Sequence, residues 1–251
     1  MFQPIAESIG CCFPEFTAGD ISKLPKVSVL NENFDWINHN QKNLKFVNQD
    51  QNMAHPELGY EERIYQHGLI ATRSNNWHDF FNAMVWKNFP KTKIAINAIH
   101  QQEIEVQTNT RRSRKRDLLT LFDECGVIII ANDHILNLIR QHQWQELFVT
   151  NRDLWLNGKI QIITFGHAMF EKYQQPYIGM TAQALLLNAE ITKIDSHLAK
   201  GLMNQTLLNS KKDLSPLPVL GVPAWYEKQD QEFYANLNYF RPLRKHSKTT
   251  P

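Results

Sequence analysis

The chain has 251 residues, 42% hydrophobic, 11% aromatic and 21% charged. That is ordinary globular composition, and it excludes disorder, collagen and coiled coil as global descriptions. Lys+Arg 27 against Asp+Glu 25 leaves a formal charge of +2, so no overall field steers the chain to nucleic acid or membrane, and any basic footprint has to be local.

There are three cysteines, two of them adjacent at Cys11 and Cys12. Neighbouring cysteines make a poor mutual disulfide, and the odd count suits a reducing, cytoplasmic compartment. The opening MFQPIAESIGCCF has no basic residue ahead of its apolar ones and carries Glu7 among them, unlike a secretory signal. Apolar runs such as 127–131 fall far below the roughly 20 residues of a bilayer span. A soluble protein with no membrane partner is expected.

In chain order, residues 1–59 are rich in Asn, Gln, Pro and Asp and read as an extended arm packed on the core, with a short helix near 29–37 and a strand at 45–47. The main domain is expected over 60–241. It opens with a helix at 60–66 stopped by Gly68. Trp77, Phe80, Phe81, Met84 and Asn88 follow helical spacing, with Asn75 or Asn76 as N-cap. Pro90 suits the first turn of a second helix through about Glu105, giving a helical hairpin with an aromatic face. After the basic run 111–116, the stretch LLTLFDE, Cys125-Gly126 and VIIIA reads as a β-hairpin over 117–131. Two short helices are predicted over 133–148, a strand over 159–165, a turn at Gly166 and a helix over 167–174. Residues 182–187 suit strand or helix, 191–208 helix, 211–223 an extended loop, and 242–251 a solvated tail. The sum is a helix-rich single α+β domain with a small, mostly antiparallel sheet covered by the aromatic hairpin.

Several of these elements carry polar groups with chemical potential. His78 and Asn82 are four apart and share a helix face, with Asp79 beside them. An imidazole, a carboxylate and an amide so gathered can hold a cation or orient a water. The alternative for Asp79 is a capping role at the start of its helix. His100 lies near the end of the second helix, where favourable dipole electrostatics alone would also explain it. His167 begins a helix after Gly166, where the N-terminal dipole favours a neutral ring able to bind metal or accept a proton. Glu171 is one turn on. Asp123 and Glu124 end the predicted hairpin strand, and because adjacent strand residues point to opposite faces, at most one can face a site. Asp123 is taken as that one. Cys125 has no readable base partner and is not a nucleophile candidate. The run 111–116 places five cations in six residues, enough to contact phosphates or simply to stand in solvent. The commonest nucleotide, hydrolase and zinc motifs (GxGxxG, GxxxxGK[ST], GxSxG, HExxH, CxxC) are missing.

The segments NWHDFFNAMVWKNFPKTK (76–93), INAIH (96–100), RDLLTLFDECG (116–126), FGHAMFEK (165–172), LPVLGVPAWY (217–226) and NYFRP (238–242) together resemble a bacterial family termed domain of unknown function 3025. The resemblance runs from about Phe46 to Pro242 and implies a bacterial source. It brings no activity, cofactor or catalytic residue.

The residue chemistry leads to an expected metal-assisted hydrolase. Its ion (zinc, manganese or iron) would sit on His78, Asp79, His100 and His167. Asp79, His167, Glu171 and Asp123 would take catalytic roles, and Arg73, Trp77, Asn82 and Arg116 would bind a small-molecule ligand. The alternative is a non-enzymatic binding protein using 111–116 on nucleic acid or another acidic partner. A third reading is a structural or assembly protein whose polar groups complete a hydrogen-bonded core.

Overall fold

The computed structural model describes residues 24–108, 111–188 and 193–243. Cys11, Cys12, the first 23 residues of the predicted arm and the tail from 244 onward lie outside them. The elements, in order, are α1 (Val27–Leu30), β1 (Lys45–Asn48), α2 (Tyr60–His67), β2 (Leu69–Thr72), α3 (Trp77–Asn88), α4 (Pro90–Glu105), α5 (Arg114–Cys125) and β3 (Gly126–Ile130). They continue with α6 (Asp133–Arg140), a π-helical turn at Glu146–Thr150, α7 (Arg152–Leu156), β4 (Gln161–Thr164), α8 (His167–Tyr173), β5 (Thr181–Leu187), α9 (Ile194–Met203), β6 (Leu214–Pro218) and α10 (Gln231–Tyr234). The fold is α+β, helix-rich with two small sheets. No described helix is long and apolar enough to cross a membrane.

The described residues form two compact units. The first takes those through Gly126, Thr164–Gln175 and those of Ile191–Asp213; the second takes Val127–Ile163, those of Pro176–Glu190 and those from Leu214 on. The aromatic hairpin and the larger sheet therefore belong to different units.

In the first unit, β1 and β2 pair in parallel, Phe46 opposite Ile70. The predicted helix near 29–37 shrinks to α1 because Asn31 turns its amide onto β1. Its Oδ1 accepts from the Phe46 N–H at 2.8 Å and its Nδ2 donates to the Phe46 carbonyl at 3.0 Å. At the end of α2, Gly68 takes the left-handed conformation, φ 72°, which a side chain would resist. Asn76 caps α3 by accepting from the Asp79 N–H at 3.0 Å, and Pro90 opens α4. The hairpin buries Phe80, Phe81, Met84 and Trp86, each contributing about 1.5–3 kcal/mol of apolar burial.

The predicted β-hairpin over 117–131 is corrected. Its first half is α5, and only 126–130 is strand. Ser113 caps the helix by accepting from the Arg116 N–H at 3.2 Å. Arg, Lys, Leu and Glu are good helix formers, and the buried Leu118, Leu119 and Phe122 fall on one helical face. A strand would have split that set across two faces.

The second unit holds the sheet, in order β4-β3-β5-β6, with β5 and β6 antiparallel, Ala182 opposite Leu217. Every residue of β3 is buried. The predicted 211–223 loop contains β6, an edge strand, which is why it tolerates Pro216 and Pro218.

Candidate metal centre

Three helices of the first unit converge on one point. Phe81 of α3 stacks on Phe170 of α8, centroids 5.8 Å apart. Each ring lies three residues after a histidine, so the same packing brings His78 towards His167. Gly166, the N-cap of α8, lies so close to the end of α5 that a Cβ there would sit 2.4 Å from the Gly126 nitrogen and 2.5 Å from the Glu124 carbonyl. Glycine is required by that approach, which sets His167 beside Asp123 and Glu124.

The Nε2 atoms of His78 and His167 face each other at 3.0 Å. Each ring turns its other nitrogen to a carboxylate: His78 Nδ1 lies 3.2 Å from Glu171 Oε2, and His167 Nδ1 lies 3.6 Å from Asp123 Oδ2. Glu124 Oε1 is 3.6 Å from His167 Nε2. One ligand atom each from His78, Glu124 and His167 fall within 4.8 Å of one another. Two ligands of a tetrahedral zinc, each 2.0–2.1 Å from the ion, are themselves about 3.3 Å apart, so the spacing suits a shared ion. Burial holds the His167 pKa down at about 4, hence a neutral ring with a lone pair free to accept at neutral pH. Burial also raises the Glu124 carboxyl, against the opposing pull of His78.

Behind these groups lies a buried polar chain. Lys93, 4% exposed, donates to both oxygens of Asp123 at 2.6 and 2.7 Å. It also donates to Asn82 Oδ1 at 3.0 Å, and the Asn82 amide donates to Tyr60 Oη at 2.8 Å. The ammonium lies 5.3 Å from the Trp86 ring centroid. Burial would raise the Asp123 pKa, but Lys93 leaves it below the ordinary carboxylate value. Burial pushes the Tyr60 phenol up, so it stays protonated.

His78, His167, Asp123 and Glu124 line a cavity of about 470 Å³, together with Arg73, Asp79, Asn82, His100, Arg112 and Arg116. Asp79 is held by Arg73, whose main-chain N–H donates at 2.6 Å and whose guanidinium donates to the two oxygens at 2.9 and 3.0 Å. Burial would raise that carboxyl, yet Arg73 keeps it below its ordinary value. To bind an ion, Asp79 would have to release Arg73. His100 lines the same cavity but is not among the three clustered ligands. Trp77 instead stacks on Phe81, centroids 5.5 Å apart.

Sequence reasoning passed over Glu124 and Lys93. The strand reading leaves Glu124 out, because a strand can turn only one of two neighbours to a site. On a helix, successive residues are 100° apart, and Arg116, Thr120, Asp123 and Glu124 fall at i, i+4, i+7 and i+8, all lining the cavity. That stripe was readable once 114–125 was taken as helix. Lys93 gave no such signal, because its partner Asp123 is 30 residues away.

A family described as "Protein of unknown function (DUF3025)" matches residues 44–244. The chain belongs to this family. The match takes in every residue of the candidate centre. No curated protein and no solved structure matches the chain.

Proposed function

We propose that this family member is a metal-assisted hydrolase whose divalent ion, most simply zinc, is held by His78, His167 and Glu124. The observation that carries this reading is the histidine pair. Their Nε2 atoms face each other at 3.0 Å, while His78 Nδ1 lies 3.2 Å from Glu171 and His167 Nδ1 3.6 Å from Asp123, so both rings can turn an Nε2 lone pair to a shared ion. With both lone pairs turned inward, the two rings would hold a cation between them. A carboxylate behind each ligating imidazole is the usual way of fixing the tautomer and raising ligand basicity. Three protein ligands leave a fourth position for water, as in catalytic rather than structural zinc sites. An ion held by these residues would supply a water of lowered pKa as nucleophile. A cavity of about 470 Å³ suits a small-molecule substrate.

The nucleic-acid reading draws less support. Lys115 donates to the Leu208 carbonyl at 2.8 Å, whereas Arg112 and Arg116 line the cavity, so the basic run does not present one surface.

The test is elemental analysis of protein purified without chelator or affinity nickel, beside a folded H78A/H167A variant, followed by assay of the metal-loaded protein against ester, amide and phosphoester substrates. One equivalent of metal, lost in the variant, with turnover that follows the metal, is expected. Failure of both proteins to retain or take up metal would overturn the reading.

A further inference from the structure

Within the cavity, hydrogen bonding leaves a remainder of unused nitrogen atoms. Asp79 is taken by Arg73 and Asp123 by Lys93. Glu62 is turned onto the Gly59 N–H at 3.2 Å, and Glu61 accepts from Asn97 at 2.7 Å. At the start of α5, Arg116 has no carboxylate partner among the described residues and Arg112 has only an exposed one. Arg116 donates one N–H to Gln107, a neutral partner, at 3.0 Å, and its Nε is buried without a hydrogen-bond partner among the described residues. Arg112 touches Thr120 and stands 3.7 Å from the exposed Asp117. His100 is 1% exposed, and its Nδ1 has no hydrogen-bond partner among the described residues. A buried polar atom left unpaired is costly, a cost that a bound ligand would relieve.

Resting on the hydrolase reading above, we infer that the substrate carries a phosphate group, bound by Arg112, Arg116 and the buried His100 in the metal-bearing cavity. Two guanidinium groups and an imidazole N–H supply donors around a tetrahedral dianion, whereas a carboxylate is satisfied by one guanidinium fork. The site needs no metal of its own, so it can be separated from the metal centre by experiment.

The probe is inorganic phosphate, titrated calorimetrically into the full chain after chelation, with acetate as the control anion. Saturable 1:1 binding is expected, weakening at least tenfold in R112Q/R116Q and changing less than twofold in H78A/H167A. Arg112 is exposed, so Arg112→Gln alone serves if the double variant fails to fold, and a fivefold loss is expected from it. Absence of binding, acetate binding equally tightly, or arginine variants that bind like the parent would each overturn the inference. So would binding that needs added zinc and disappears in H78A/H167A, since phosphate would then sit on the metal alone. A chain that holds no metal yet binds phosphate through the arginines would refute the hydrolase reading and leave the anion site standing.

Discussion

The two units spend their buried polar groups differently. In the second, side-chain donors end on backbone carbonyls: Tyr239 Oη on Met180 at 2.8 Å, Tyr234 Oη on Gly221 at 3.0 Å, Trp144 Nε1 on Arg241 at 2.8 Å and Trp155 Nε1 on Leu147 at 3.0 Å. Those bonds tie loops to an aromatic cluster of Phe148, Trp155, Tyr234 and Phe240. Around the cavity of the first unit, ionisable side chains meet one another: Lys93 with Asp123, Asp123 with His167, His167 with His78 and His78 with Glu171. Bonds to backbone satisfy a donor and fix a fold. A chain of titratable groups is costly to bury, is no strong source of stability, and makes sense where charge or an ion has to be held.

This contrast can be broken by substitution. The largest effect is expected from Phe148→Ala in the second unit, a loss of about 3–5 kcal/mol in denaturant unfolding, with zinc affinity of the remaining folded protein unchanged. Lys93→Met should cost a comparable 3–5 kcal/mol, because it leaves Asp123 buried without its cation, and it should also weaken zinc binding. If Lys93→Met destabilised the protein without touching zinc affinity, the polar chain would be structural like the second unit's bonds. Glu171→Gln, at a half-exposed position, should barely alter stability but weaken zinc 10–100-fold, as expected for loss of a carboxylate behind a ligating histidine.

The smallest effect concerns pH. Burial holds His100 below the ordinary histidine value of 6.5, so on acidification the unfolded chain takes up this proton first. Stability from this group is complete above about pH 6.5 and declines as pH falls below it. Urea unfolding of the metal-free protein should therefore show a shallower decline below that pH in His100→Gln than in the parent. An identical slope would remove His100 from the account.

How much of this was legible in the sequence depended on the range of the signal. The α3–α4 hairpin was readable because aromatic periodicity, Asn76 and Pro90 all act within one or two turns. So was the strand, Gly166 and helix that present His167. The α5 segment is ambiguous in sequence, because Leu-rich stretches beside a Cys-Gly pair suit a strand as well as a helix, and only the helix turns both Asp123 and Glu124 to the cavity. The meeting of His78 with His167 spans 89 residues and depends on Phe81 stacking on Phe170, which no local pattern encodes. Asp79 shows the limit of residue chemistry alone: its position on the helix suggested a ligand or a cap, while Arg73, six residues upstream, occupies both its oxygens.

In the proposed centre His78 and His167 share one ion through facing Nε2 atoms. X-ray absorption of the protein loaded with one equivalent of zinc reads the coordination shell directly. Two imidazole nitrogens at 2.0–2.1 Å are expected, with oxygen neighbours completing a four-coordinate shell, and loss of the imidazole signal in H78A/H167A. A shell of oxygen alone, or an imidazole signal unchanged in that variant, would contradict it.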